Sequence, residues 1–515
     1  MFGLFNKRDP IKETEKDDKP PSINKLTGIL EEDIKLFSNI FSNNDTLIIR
    51  KFQNKYLDSA KCCVIYIEGM VKNEILNENI IKPILSNNLG EEISNKNLLE
   101  ELQYKVIVSN NVKKSSDIDE IVNSVIYGDT IFLLDGYDKV LIINSKGWET
   151  RAVAEPTSEK VIRGPREGFT ESININLSLL RRKIKNPDLK FKFKEIGVMT
   201  HTKTCICYIE GLVSDKILKE LNKRLDDIKI DGILDAGYIQ ELIKDSPYSP
   251  FETVGTTERP DVLAAKLLEG RIGLFIDGTP FVLTVPFLMI EYFQVNEDYY
   301  NNFIYASINR ILRITGGLLS ISVPAIYISL ITYNQEMIPT PLILSISAAR
   351  QGVPFPTVVE ALLMLLVFEI LREAGTRMPV QIGQAVNIVG ALVLGQAAVE
   401  AKLVSAPIVI VTALTGISSL LIVNLIGASI ITRTIFLLLA SIMGMYGYIF
   451  GVVGLVIYLM SMRSFGVPYM LNIISFDEED IKDTIIRAPW WEMNFRTKLI
   501  VDKNYVRQPK KSRGK

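Results

Sequence analysis

The side chains best placed for chemistry in this sequence are charges set in an apolar stretch. Glu360, Glu369, Arg372 and Glu373 fall within fourteen residues of a segment otherwise rich in Leu, Val, Met and Ala. An ionised group at the centre of a hydrocarbon layer is disfavoured by roughly 2.5–3.5 kcal/mol on insertion scales. Such residues are therefore expected to pair, to meet water or to serve an ion. On a helix Glu369 and Glu373 share a face with Arg372 beside them, and Glu369 and Arg372, three apart, can pair. Glu360 points the opposite way and follows Pro354 and Pro356, where a helix is expected to break. It has no such local partner, so it needs water, another subunit or the membrane interface. A ring of such carboxylates about an oligomer axis would attract cations. Gln384, Asn387, Gln396 and Glu400 are polar in or beside the next apolar run. They read either as the lining of a watered pathway or as helix–helix hydrogen bonding.

A second set is basic. The stretch from Glu155 to Ile184 carries Arg163, Arg166, Arg181 and Arg182, which would suit a phosphate. No Gly-rich strand-to-helix loop accompanies them, so contacts between lobes or subunits are the better reading. Arg259, Asp261 and Asp277 are assigned the same role, in preference to a catalytic role for Thr257–Arg259. Other chemistries lack their parts. His201 is the one histidine, which argues against triads and His-ligated metals. Cys62, Cys63, Cys205 and Cys207 form no CxxC pair and read as small apolar residues of buried strands. No enzyme and no cofactor are expected. Net charge is −1, which gives no case for nucleic acid, and the basic run Arg507–Lys515 reads as a solvated tail near anionic lipid.

The elements that position these residues divide the chain in two. Between Ile314 and Met462 stand ten charged residues, none of them Asp, while the other 366 residues hold the remaining 107 charges. The first part is water-soluble in composition and the second lipid-embedded. Met1–Pro10 is polar, so no cleavable leader is expected. In the soluble part Lys61–Leu76 aligns with Lys203–Leu218, nine of sixteen positions being identical at an offset of 142. Gly128, Asp135, Gly136, Val140 and Leu141 map onto Gly270, Asp277, Gly278, Val282 and Leu283 at the same offset. Each copy reads as a buried strand stopped by Gly69 or Gly211, a helix from about 74 or 215, and a hairpin turning at Asp-Gly. The expected fold class is an α/β soluble N-terminal domain of two duplicated lobes, followed by an all-α helical transmembrane bundle. The expected boundaries are a disordered or linking segment 1–44, lobe 1 over 45–150, a connector with a helix over 151–189 and lobe 2 over 190–295. A juxtamembrane helix over 296–313, a transmembrane domain over 314–462 and a cytoplasmic tail over 463–515 follow.

Four segments offer the roughly 20 residues that cross a ~30 Å core: Ile314–Tyr333, about Val380–Val399, Ser405–Ile426 and Ile435–Met460. A fifth, 342–375, is interrupted by charge and proline and is expected to be re-entrant or interfacial. Arg310 and Arg313 before the first span, and the Lys/Arg-rich tail, place both flanks in the cytoplasm and demand an even number of crossings. Small residues four apart, Ala391 with Gly395 and Gly447 with Gly451, allow close helix packing.

A set of motifs in a fixed order resembles the A-subunit family of GerA-type spore germinant receptors. They are Arg163-Gly-Pro-Arg-Glu-Gly-Phe-Thr-Glu, Thr257-Glu-Arg-Pro-Asp, Leu268-Glu-Gly-Arg with Asp277-Gly-Thr-Pro-Phe, and Glu297-Asp-Tyr-Tyr. Gly352-Val-Pro-Phe-Pro with Glu360, Leu371-Arg-Glu-Ala-Gly, Val389-Gly-Ala-Leu-Val-Leu-Gly-Gln-Ala-Ala-Val and Arg487-Ala-Pro-Trp-Trp complete it. The resemblance spans about residues 50–500. It implies a role in germination at the spore inner membrane, with the soluble domain on the cytoplasmic, spore-core side. It also implies a transporter-like B subunit and a lipoprotein C subunit as partners, and A chains oligomerising into an ion-conducting pore. A SpoVAF-like paralogue, associated with dipicolinate release, shares these motifs and is the nearest alternative. A solo transporter is more remote, since its repeat should lie in the membrane half.

Overall fold

The computed structural model describes residues 25–54, 61–86, 98–147, 156, 159–378, 393–474, 483–497, 499–501 and 504–507. The chain divides into two compact units, Met1–Thr150 with Ile184–Pro187, and Arg151–Lys183 with Asp188–Lys515.

In the first unit a five-stranded sheet is ordered β1-β2-β4-β5-β3. Its strands are β1 (Leu47–Gln53), β2 (Lys61–Ile67), β3 (Val112–Ser115), β4 (Thr130–Leu134) and β5 (Val140–Ile143). β4 and β5 are buried along their whole length, as their runs of β-branched and apolar residues require of strands covered on both faces. One face packs under helices α1 (Leu30–Ile40) and α2 (Ile118–Ile126), with Phe37, Ile65, Val125 and Ile131 at its centre. The other face, with Val64, Phe132 and Leu141, is covered by the helical stretch from Ile75 to Ser86 and by Leu98–Val106.

In the second unit the sheet is ordered β6-β7-β9-β10-β8, built from β6 (Leu189–Ile196), β7 (Thr202–Ile209), β8 (Gly255–Thr257), β9 (Ile272–Ile276) and β10 (Val282–Val285). Its ladder repeats the register of the first sheet 142 residues further on in each of the four strand pairings. Leu47 pairs Ile67 and Leu189 pairs Ile209; Cys62 pairs Leu134 and Thr204 pairs Ile276; Thr130 pairs Ile143 and Ile272 pairs Val285; Ser115 pairs Val140 and Thr257 pairs Val282. The correspondence extends beyond the strands. The Asp135 carboxylate accepts the Leu30 N–H at the start of α1, and Asp277 accepts the Ile173 N–H at the start of α3 (Ile173–Lys183), at 3.0 and 3.1 Å. α4 (Asp215–Asp226), α5 (Ala236–Ile243) and α6 (Pro260–Leu268) complete the second lobe.

The structure redraws several boundaries. α1 belongs to the core of the first lobe, which therefore starts before residue 45. α3 packs on the second lobe, against α6 and β9, instead of acting as a free connector. Residues 296–313 are not a separate helix. A short turn at Asn296–Tyr299 leads into α7 (Phe303–Thr332), one continuous helix that includes the first expected span. The described part of the expected tail is folded onto the second lobe: β11 (Arg463–Ser464) pairs β12 (Val467–Pro468), Val501 bridges Val213, and Arg496 donates to the Leu268 carbonyl at 2.7 Å.

The helical half comprises α7, α8 (Thr340–Arg350), α9 (Thr357–Arg377), α10 (Ala406–Ser419) and α11 (Ile426–Ser461). Among the described residues two helical stretches, Phe303–Thr332 and Val423–Ser461, are long and apolar enough to cross a membrane. The expected span Val380–Val399 lies mostly outside the described residues. The span read as Ile435–Met460 is divided, because at Gly444 the backbone takes φ 60° and ψ −138°, a conformation that side chains with a Cβ avoid. There the chain reverses. Phe436 stacks on Tyr448 with ring centroids 5.8 Å apart, and Gly451 lies against Phe436, whereas a straight helix would hold Phe436 and Gly451 about 22 Å apart. Ala428 and Leu459 meet in one cluster at the lobe end. α11 is thus a helical hairpin. Gly447 lies against the Leu439 carbonyl, so the small residues expected to permit close packing do so between its two arms.

Candidate functional site

The helical half is seated on the second lobe. Phe251, Phe287 and Tyr292 of the lobe pack with Ile422, Leu425, Ala428, Leu459, Met462 and Tyr469. Around this apolar seat runs a collar of buried charge in which five of the sequence motifs meet.

Arg259, 2% exposed, is paired with Asp261 at 2.8 Å and donates to the carbonyls of Glu159 and Pro165 at 3.1 and 2.8 Å. Asp261 also accepts from Asn296 and from the Tyr300 hydroxyl, at 2.9 and 2.6 Å. Burial alone would raise the Asp261 carboxyl, but hydrogen bonds from Arg259, Tyr300 and Asn296 outweigh it and hold the group below the usual aspartate value. Gly164, at φ +138°, lets the connector pass the Tyr300 ring, which a Cβ would meet at 2.8 Å. Arg271 pairs with Glu291, which also faces Lys266 at 3.2 Å and accepts the Leu288 N–H at 2.6 Å. Burial pushes Glu291 up, yet Arg271 and Lys266 hold it below the usual glutamate value.

At the base of α7, Arg310 is fully enclosed. It pairs with Asp298 at 3.3 Å and with Asp483 at 2.8 Å, and donates to the Asp483 carbonyl at 2.7 Å. Arg313 pairs with the same Asp298 carboxylate. The Tyr299 hydroxyl donates to Asp483 at 2.5 Å, and burial pushes the Asp483 carboxyl above its usual value. The Arg487 N–H donates to Ser307 at 3.1 Å, and its guanidinium lies over Tyr299 and Trp490. Lobe, first helix and C-terminal segment are thereby joined through paired charges that would be costly to separate.

Within the helical half, Glu360 is fully buried. Its carboxylate accepts the Ser405 N–H at 2.9 Å and the Ser405 hydroxyl at 2.7 Å, at the start of α10, and pairs with Arg350 at 3.5 Å. Its charge partner thus comes from ten residues back in the same interrupted segment, on α8, brought near by the break around Pro354 and Pro356, and not from water, another subunit or the membrane interface. Glu369 pairs with Arg372, as the three-residue spacing allows, and also with Arg433 on α11 at 2.6 Å. Glu373 is exposed and pairs with Arg377 at 2.6 Å. Gln396 and Glu400 line a surface groove with Val409 and Ile410; Gln384 and Asn387 lie outside the described residues. Of the residues assigned to contacts, Arg163 and Arg166 are exposed, Arg259 and Asp261 form the collar, and Asp277 caps α3. The sequence reading did not single out Ser405, Arg433 or Asp483, and held Asp298 only as part of the Glu297-Asp-Tyr-Tyr motif. Arg433 carried a usable signal, an isolated charge in an apolar run.

Cys62, Cys63, Cys205 and Cys207 are buried thiols, none of them in a disulfide. Burial pushes the Cys62 and Cys63 thiols up to about 12, far from the range of a nucleophile.

Residues 35–499 match the family described as Bacillus/Clostridium GerA spore germination protein. Spore germination protein KA of Bacillus subtilis (strain 168) is 43% identical over 92% of this chain and 86% of that protein. The uncharacterized membrane protein YfkQ of the same organism is 41% identical over 96% of this chain and 95% of its own length. GerLA of Bacillus cereus, a spore germination protein, is 35% identical over 88% and 92%. The crystal structure of the N-terminal domain of the A subunit of the Bacillus megaterium spore germinant receptor GerK3 is 35% identical, covers 50% of this chain and 95% of its own, and has a TM-score of 0.41. The chain belongs to the GerA family of spore germination proteins.

Proposed function

We propose that this chain is the A subunit of a germinant receptor, embedded in the spore inner membrane with its soluble lobes on the core side. The observation that carries the reading is the family match over most of the chain, met by a helical half whose charged flank, at Arg310 and Arg313, is paired with Asp298 in the turn that leaves the second lobe, Arg310 also with Asp483 of the C-terminal segment. In this reading the lobes arose by duplication, relay and assemble rather than catalyse, and transmit their state to α7 through the collar. The chain oligomerises with its own copies and works with a transporter-like B subunit and a lipoprotein C subunit. The helical half conducts ions, and α9 with Glu360, Glu369, Arg372 and Glu373 borders the pathway.

The test is co-purification and flux. Tagged chain recovered from spore membranes is expected to bring down B-type and C-type subunits encoded beside it. Spores carrying Glu360→Gln at normal protein level are expected to show altered ion release on exposure to nutrient. Recovery of the chain without either partner, together with unchanged ion release in the variant, overturns the receptor-and-pathway reading.

A further inference from the structure

We propose that Arg433 and Arg372 form an anion-binding site inside the helical half, taking an anionic oxygen such as a carboxylate or a phosphate. Arg433 is 2% exposed, and its Nη2 is its one satisfied nitrogen, donating to Glu369. Its Nε and Nη1, and Nη1 of Arg372, are buried without a hydrogen-bond partner. Two guanidinium groups share one carboxylate, so the trio carries one uncompensated positive charge.

Among the described residues of this half no further acidic group cancels it. Of the ten charged residues between Ile314 and Met462, Glu360 is taken by Arg350 and Glu373 by Arg377, while Glu336 and Glu400 are exposed. Residues 379–392 contain no acidic side chain. The walls are apolar: Phe368 fills the space at Gly416, and Met364, Leu365 and Leu437 are buried in the adjoining cluster. An unpaired guanidinium in such surroundings is strongly disfavoured, and an anion that accepts from the free N–H groups removes both the charge and the unmet bonds. Arg372, with 22% of its side chain exposed, is the way in. Arg433 lies seven residues along the first arm of α11, about 10 Å from its lobe end, within reach of either a free anion or a lipid phosphate.

Full-length chain in dodecyl maltoside, melted at constant ionic strength, tests this. Chloride is replaced by acetate or by inorganic phosphate, and in a separate series phosphatidylglycerol is added. A saturable rise in the midpoint is expected with at least one probe. A rise with acetate or phosphate identifies a free anion, and a rise with the lipid alone identifies a headgroup. Arg433→Gln is expected to raise the half-saturating concentration about tenfold or more, whereas Lys402→Gln, at an exposed lysine of the same half, leaves it unchanged. Glu369→Gln removes the competing carboxylate and is expected to lower it. No saturable response to any probe, or equal responses in wild type and Arg433→Gln, overturns the site. Should Arg433→Gln fail to fold, Glu369→Gln decides, and unchanged or weaker binding there overturns it.

Discussion

Replacing Gly444 with alanine has opposite consequences for a hairpin and for a straight helix. At φ 60° and ψ −138° a residue with a Cβ is strained by about 1–3 kcal/mol. The new Cβ would also stand 2.8 Å from Tyr333 Cβ and 2.9 Å from its Cγ, so the ring must move. That ring is tied by its hydroxyl, which donates to the carbonyls of Ser441 at 2.6 Å and Ile442 at 3.2 Å; losing these bonds costs about another 1 kcal/mol. Gly444→Ala is therefore expected to destabilise the helical half by about 2–4 kcal/mol. In a straight helix the same change would stabilise by about 0.5–1 kcal/mol through the helix preference of alanine over glycine. The assay is the thermal midpoint of the full chain in detergent micelles, with Gly454→Ala as the comparison, since a Cβ there meets nothing within 4 Å. A lowered midpoint in Gly444→Ala beside an unchanged or raised one in Gly454→Ala supports the hairpin. A raised midpoint in both would refute it.

Further outcomes follow from the collar and the buried carboxylates. Arg259→Met leaves Asp261 buried without its charge partner and is expected to cost about 3–5 kcal/mol, read as a lower unfolding midpoint; a loss under about 1 kcal/mol would show the collar to be weak. Asp261 and Glu291 are held below their usual values of 3.8 and 4.5. A group held low binds its proton more weakly folded than unfolded, so its stabilisation is full above the usual value and lost as pH falls through the folded one. Acidification below about pH 4.5 is thus expected to weaken the lobe, and Asp261→Asn to flatten that loss in a pH series of midpoints; a steeper loss in the variant contradicts the assignment. Arg310→Gln leaves Asp298 and Asp483 without their shared buried partner, and limited proteolysis is expected to release the segment from Asp483 onward faster than in wild type. An unchanged cleavage rate there would mean that the segment is held by other contacts.

Much of the soluble fold was legible because its strands are short, apolar and repeated. Cys63–Ile67 and Cys205–Ile209 announce themselves as buried strands, and the constant offset of 142 carries the ladder with it. The helix preceding the first sheet was hidden, and the one preceding the second was read as part of a connector and not as part of its lobe. α1 and α3 stand in the same relation to Asp135 and Asp277, but the spacing there shifts by one residue and few side chains are shared, so no sequence match survives. The hairpin at Gly444 was hidden for another reason. Hydropathy runs unbroken from Ile435 to Met460, and a reversal made by one glycine between Met443 and Met445 leaves no polar turn. The pairing of Glu369 with Arg372 was readable from helical spacing, whereas Glu360 with Arg350 and Glu369 with Arg433 depend on how helices pack. The C-terminal segment looked like a cytoplasmic tail because it is charged, but among its described residues Arg507 pairs with Glu269, Arg487 donates to the Asn301 carbonyl and Arg496 to the Leu268 carbonyl.

The receptor reading is tested most directly in spores from which the other GerA-family A subunits have been deleted. Restoring this chain together with the genes beside it is expected to return germination to at least one nutrient, measured as dipicolinate release and loss of optical density, and omitting this chain alone is expected to abolish it. Nutrient-triggered germination at the same rate with and without the chain would contradict the account.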